Sequence, residues 1–146
     1  MDHFELASAL RGVASDLHKR LRKQAYSVGD SMGSFSITEQ TTLSYLSRED
    51  AMYPSELAEI NKIKKQSMSQ VLNRLEGAKM IRRVISKEDK RKVAISLTTL
   101  GKKMLEQSRY DRDEWLAGAI GKVLQEKEIR ILEAAIPLLK KIVNVY

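Results

Sequence analysis

Leu6, Leu10, Val13, Leu17 and Leu21 recur at steps of three and four, which predicts an amphipathic helix from about Phe4 to Tyr26. Ile129, Leu132, Ile136, Leu139 and Val143 repeat that spacing near the C-terminus, in a helix that should begin at about Glu126. Pro137 lies inside it, removes one backbone donor and is expected to bend it. Between Val28 and Ile37 the run Gly29-Asp30-Ser31-Met32-Gly33-Ser34 reads as a flexible loop. Ser36 or Thr38 can cap a helix reaching about Arg48, with Glu39 placed to favour its N-terminal dipole. Pro54 suits the first turn of the next helix, which continues through Ser55 to Ile60. A turn over Asn61 to Lys64 then leads into a helix from Lys65 to Ala78.

After that helix the period changes. Val93, Ile95 and Leu97 point one way and Ala94, Ser96 and Thr98 the other, the mark of a strand with one buried and one wet face. The segment Ser86 to Lys92, joining this strand to the one before it, carries four basic residues and neither Gly nor Pro. It is too long and too charged for a tight hairpin turn. A long helix should follow from Thr98 to about Gly121. The fold class is mainly α with a small β-ribbon: a lobe over about 36–100, with helices over about 3–27 and 101–146 on either side.

Charge sharpens this picture. Between Lys62 and Lys92 eleven basic residues stand against three acidic ones, a local excess of eight, whereas the whole 146-residue chain carries +7. The basicity belongs to one segment, as phosphate neutralisation requires. Hydrophobic content is ordinary at 42%, no run approaches the length of a membrane span, and the N-terminus lacks a signal-peptide pattern, so a soluble, cytoplasmic protein is expected. Without Cys there is no disulfide, thiolate metal site or thiol switch, and His3 and His18 are too few for a zinc site. No cofactor or metal is expected. Catalysis has little support, because there is no nucleophile elbow or Gly-rich phosphate loop, and Glu126 and Glu128 at i,i+2 do not face each other.

The stretch Leu72-Asn73-Arg74-Leu75-Glu76, then Met80-Ile81-Arg82-Arg83, Asp89-Lys90-Arg91 and Leu97-Thr98-Thr99-Leu100-Gly101 resembles the MarR family of bacterial winged helix-turn-helix repressors. It follows that family's D-x-R wing and L-T-x-x-G in order and at the usual spacing, and the likeness extends upstream through Glu56-Leu57-Ala58. The chain departs from the pattern at Asn61 and Lys62, where an apolar residue and often Gly are usual, at Lys64 in place of a capping Ser, and at Lys79 in place of a helix-ending Gly.

In this light Lys65 to Ala78 is the recognition helix. Met68, Val71, Leu72 and Leu75 should pack inward, while Gln66, Ser67, Ser69, Gln70 and Asn73 face out for base readout, Gln and Asn suiting adenine bidentately. Lys64, Lys65 and Arg74 are placed as phosphate clamps. In the wing, Lys87, Lys90, Arg91 and Lys92 should meet phosphate or the minor groove, with Arg91 as the wing arginine and Asp89 bracing it. Leu6, Leu10, Val13 and Leu17, with Ile129, Leu132, Ile136, Leu139 and Val143, are expected to form a homodimer interface and so to read a palindromic operator in double-stranded DNA. The resemblance implies repression relieved by a small aromatic or anionic effector, with Arg11, Ser15, His18, Arg22 and Tyr45 as candidate contacts. A nonspecific nucleic-acid-binding architectural protein and an interaction scaffold are the alternatives.

Overall fold

In a computed structural model, which describes residues 1–25 and 35–145, each periodic stretch becomes the element its pattern requires. The helices are α1 (His3–Ala25), α2 (Ile37–Leu46), α3 (Pro54–Ile60), α4 (Lys65–Gly77), α5 (Thr99–Val123) and α6 (Glu126–Val143), with strands β1 (Ile81–Ile85) and β2 (Val93–Leu97) between α4 and α5. The loop expected over Gly29 to Ser34 lies outside the described residues. Ser36 provides the cap of α2, its hydroxyl accepting from the Glu39 amide at 3.1 Å. α6 runs through Pro137 as one helix. Among the described residues no helix is long and apolar enough to cross a membrane.

The core sits under the lobe between α2 and β2. Leu43 and Leu46 of α2, Leu57 of α3, Met68, Leu72 and Leu75 of α4, and Ile81, Ile95 and Leu97 of the ribbon are buried together, with Leu105 of α5 closing one side. Complete burial of such side chains contributes roughly 1.5–3 kcal/mol each.

Helices α3 and α4 end in the same way, at the two places where the chain departs from the expected glycine. Ile63 N–H reaches back to the Ala58 carbonyl and Lys62 N–H to Glu59, both at 3.1 Å, with Lys62 at φ 54°. Met80 N–H bonds Leu75 O at 3.0 Å and Lys79 N–H bonds Glu76 O at 2.9 Å, with Lys79 at φ 63°. These closures satisfy the last carbonyls of each helix, and both lysines occupy the left-handed region that glycine enters without steric cost. Asn61 locks the first turn from its side chain, donating to Leu57 O at 2.9 Å and to Thr42 Oγ1 at 3.2 Å.

The ribbon is antiparallel with Ile81 opposite Leu97, Arg83 opposite Ile95 and Ile85 opposite Val93. The expected alternation in β2 gives way to a gradient along the strand. Ile81, Ile95 and Leu97 at its base are buried, whereas Val93 is 45% exposed and its partner Ile85 70% exposed, because the ribbon leaves the lobe as it approaches its tip. Ala94, expected on the wet face, is buried. On its other edge β2 exchanges hydrogen bonds with a single residue, Met52, at 2.9 and 2.7 Å to Ile95. A reading by period alone does not find this one-residue third strand.

The base of the ribbon is fastened to α5 by the L-T-x-x-G segment. Thr98 caps α5, accepting from Gly101 N–H at 2.9 Å, while its own N–H bonds Met80 O at 3.0 Å and its hydroxyl donates to Lys79 O at 2.6 Å. This brings the first turn of α5 against the Met80 carbonyl so closely that a Cβ on Gly101 would sit in collision with that backbone oxygen. Glycine is required here for close approach.

α1 lies along α5, with the Arg20 guanidinium 5.5 Å from the Trp115 ring centroid. α6 has no buried residue. Leu132 and Ile136 are exposed in the single chain, as are Leu6, Val13, Leu17 and Val143; Ile129, Leu139 and Leu10 are partly covered. A second line of exposed residues, Ile131, Leu138 and Ile142, adjoins the first on α6 and makes its apolar face wider than the five-residue stripe.

Gly101→Ala should therefore cost about 1–3 kcal/mol, the usual range for forcing atoms into a packed site. Urea unfolding of the two proteins checks this, and an unchanged midpoint would show that the α5 turn moves aside freely.

Candidate nucleic-acid interface

With about 100° between successive helical residues, Gln66, Gln70 and Asn73 form one line along α4, directly opposite the buried Met68, Leu72 and Leu75. Ser67 and Ser69 flank that line, and all five polar side chains are exposed, as are Lys64 and Lys65 at the N-terminus. Lys64 is the N-cap residue and supplies no side-chain hydrogen bond, so the first-turn amides of α4 lack the oxygen that Ser would have given them.

Both flanks of the helix are tied down by charge. On one side Arg74 Nε lies 3.1 Å from Glu39 Oε2, and Glu39 is buried on α2. Arg74 is thus a partner that keeps a buried carboxylate compensated as well as a surface cation. On the other side Arg83 of β1 donates to Glu76 Oε1 at 3.4 Å and to Asn73 Oδ1 at 3.1 Å. The ribbon consequently touches the outward line of α4.

The wing loop, Ser86–Lys92, is closed by side chains. The buried Ser86 hydroxyl accepts from the Glu88 and Asp89 amides, each at 3.2 Å, and lies 2.6 Å from the Tyr53 hydroxyl. With both acceptor positions taken, the serine proton goes to Tyr53. Ser86 N–H bonds Lys92 O at 2.9 Å, and the Lys92 ammonium sits 5.2 Å from the Tyr53 ring centroid. No loop residue has a positive φ, which is why the loop needs no glycine.

At the tip, Asp89 accepts from the Arg91 backbone amide at 3.0 Å and from its Nε at 3.2 Å. The Arg91 guanidinium and amide hold the Asp89 carboxyl below its ordinary value of 3.8. The Arg91 side chain is 91% exposed and leans on Asp89 without being covered by it. Lys87, Lys90 and Lys92 are exposed around it.

Four of the five candidate effector contacts lie on α1 and the fifth, Tyr45, on α2. Arg11, Ser15 and His18 are exposed along α1, Arg22 is partly covered, and Tyr45 packs against the lobe core under Arg48. Two surface cavities, of about 230 and 590 Å³, are lined by other residues: the first by Ser47, Asp50, Lys102 and Arg109, the second by Trp115, Gly118 and Lys122. Among the described residues no three His, Asp or Glu side chains cluster as a metal site would require. Sequence reading missed Glu39, Tyr53, Arg83 and Ser86. Only Ser86 carried a local signal, a hydroxyl two and three residues before backbone amides in a turn.

A family model described as MarR family matches residues 35–92, the lobe that carries this interface. The chain is 29% identical over 109 residues to an HTH-type transcriptional regulator of Mycobacterium bovis, covering 75% of this chain and 76% of the relative. A solved structure from Pseudomonas aeruginosa, assigned as a transcriptional regulator, is 30% identical with a TM-score of 0.81 and covers 96% of this chain and 95% of the other. The fold is shared with a MepR mutant from S. aureus bound to an oligodeoxyribonucleotide, at a TM-score of 0.68 and 22% identity over 97% of this chain and 98% of that one.

The Asp89 brace has a direct readout. A depressed carboxyl contributes stability above its unfolded value and loses it as pH falls through the folded value, so the brace should persist through mildly acidic pH. A carbon-detected NMR titration should place the Asp89 midpoint below 3.8, and Arg91→Ala should raise it part of the way back, because the backbone amide at position 91 still donates to the carboxylate. A wild-type midpoint already in the ordinary range would mean the tip is unbraced in solution.

Proposed function

The chain belongs to the MarR family of DNA-binding transcriptional regulators, and from that membership we propose that it is a dimeric, sequence-specific repressor of the cytoplasm, released from a palindromic operator by a small ligand. The observation that carries the DNA-reading part is joint exposure on one lobe. The line Gln66, Gln70 and Asn73, the uncapped N-terminus of α4 with Lys64 and Lys65, and the wing cations Lys87, Lys90, Arg91 and Lys92 are all exposed on elements locked to one core.

The roles follow from chemistry. Gln66, Ser67, Ser69, Gln70 and Asn73 offer donors and acceptors to base edges in the major groove. Lys64, Lys65 and the free first-turn amides of α4 suit a phosphate at the helix N-terminus. Arg91, held at the ribbon tip by Asp89, suits the negative minor groove beside it.

The dimer reading rests on α6, which buries nothing of its own, and on the exposed leucines of α1. A two-fold pair would cover those faces and set two recognition helices about 34–36 Å apart, one turn of the duplex. A small aromatic or anionic ligand would act by favouring a dimer whose helices are wrongly spaced, which requires that it bind that form more tightly.

A mobility shift against random competitor duplex tests the function, run with and without an aromatic acid such as salicylate. Base readout survives the competitor and the acid releases the complex; loss to competitor would leave phosphate binding alone, and indifference to the acid would remove the ligand. Arg91→Ala should weaken specific and random duplex alike and lower the salt slope by about one phosphate equivalent. An unchanged salt slope would remove the wing from DNA. Ile136→Asp should give monomer or aggregate by light scattering, and a stable dimer would place the interface elsewhere.

A further inference from the structure

The outward line of α4 contains one side chain that is not free to choose its orientation. Asn73 Oδ1 accepts from Arg83 Nη2 at 3.1 Å, and Arg83 is in turn held through its Nε by Glu76 Oε1 at 3.4 Å. Arg83 comes from β1, where its cross-strand partner is Ile95, buried and fixed on its other edge by Met52. The guanidinium has donors only, so the amide oxygen of Asn73 must be the atom that faces it. The amide NH2 is then the end left for the groove.

Resting on the DNA-reading role proposed above, we propose that Arg83 is a positioning residue that fixes Asn73 as a hydrogen-bond donor, so that the base pair it meets is selected for an acceptor edge. Bidentate recognition of adenine needs both the oxygen and the nitrogen of the amide aimed at the base, one accepting from N6 and one donating to N7. With its oxygen drawn to the flank, Asn73 retains only the donating half. Guanine presents acceptors at both O6 and N7, whereas adenine sets its N6 donor beside N7 and thymine offers O4 alone, so the guanine edge fits a donating amide best. This replaces the adenine preference that the residue type alone implies. It also means that the strand leading to the wing sets the base preference of the helix, although it touches no base.

Selection of bound duplexes from a random pool, with the full chain and its Asn73 and Arg83 variants, tests this. Asn73→Ala should flatten the preference at one base pair per half-site, and the wild type should prefer a G·C pair there. Arg83→Leu frees the amide and should move that same position toward adenine by about tenfold in relative affinity, with the other positions unchanged. Arg83→Lys keeps a donor beside the oxygen and should retain the wild-type preference, which separates positioning from loss of structure. An A·T pair at that position in the wild type would overturn the proposal, and so would an Asn73→Ala motif identical to the wild type. A uniform loss of affinity in Arg83→Leu with every preference intact would make Arg83 a phosphate contact instead. If the wild type selects no motif at all, the sequence-specific reading falls with it; a motif that persists without dependence on Asn73 removes this inference alone.

Discussion

The carbonyl oxygen of Met80 is where the parts of the lobe meet. It accepts the Thr98 amide, it receives a second approach from the Thr98 hydroxyl, and the first turn of α5 lies against it where only a hydrogen on Gly101 fits. Met80 itself follows the left-handed Lys79 just past the end of α4 and precedes the first strand of the ribbon. The end of α4, both strands and the start of α5 are thus joined within a few residues of backbone. Hydrogen bonds of this kind are worth only about 1 kcal/mol each, but here they set the angle between a helix and a ribbon.

From this junction outward, charge takes over from packing. The apolar core fixes α4 by one face, and the remaining freedom, rotation and tilt about that face, is limited by Glu39–Arg74 on one flank and Glu76–Arg83 on the other. Arg83 is partly exposed, and exposed pairs contribute little to stability; their effect here is on direction. Arg74 differs because its partner is buried, so loss of the guanidinium would strand a carboxylate inside the lobe.

Much of this was legible in the chain itself. Helix spans followed from periodicity within about one or two residues, since the leucine spacing, Pro54 and the capping hydroxyls are local signals. The wing and its Asp89–Arg91 brace were legible because both residues lie on one loop, two positions apart. The partner of Arg74 was not, because nothing within α4 tells which acid on α2 will lie beside it. Val93 was misplaced because alternation describes a strand on a flat surface, and this ribbon leaves its surface midway; Ala94, on the face expected to be wet, is buried nearer the base. Lys62 and Lys79 appeared as departures from a glycine pattern; the backbone there keeps the glycine geometry and makes lysine adopt it.

The way the wing is closed has a consequence for how such a protein can change. Its contour is held by Ser86, Asp89 and the tyrosine beneath, and none of its backbone requires a special residue. Lys87, Lys90 and Lys92 can therefore be exchanged for neutral or acidic side chains while the loop keeps its path. Lys92 gives up only its place over the tyrosine ring. Shape and charge are inherited separately in this loop, so its net charge can drift up or down across a lineage, one lysine at a time, without the wing having to be refolded.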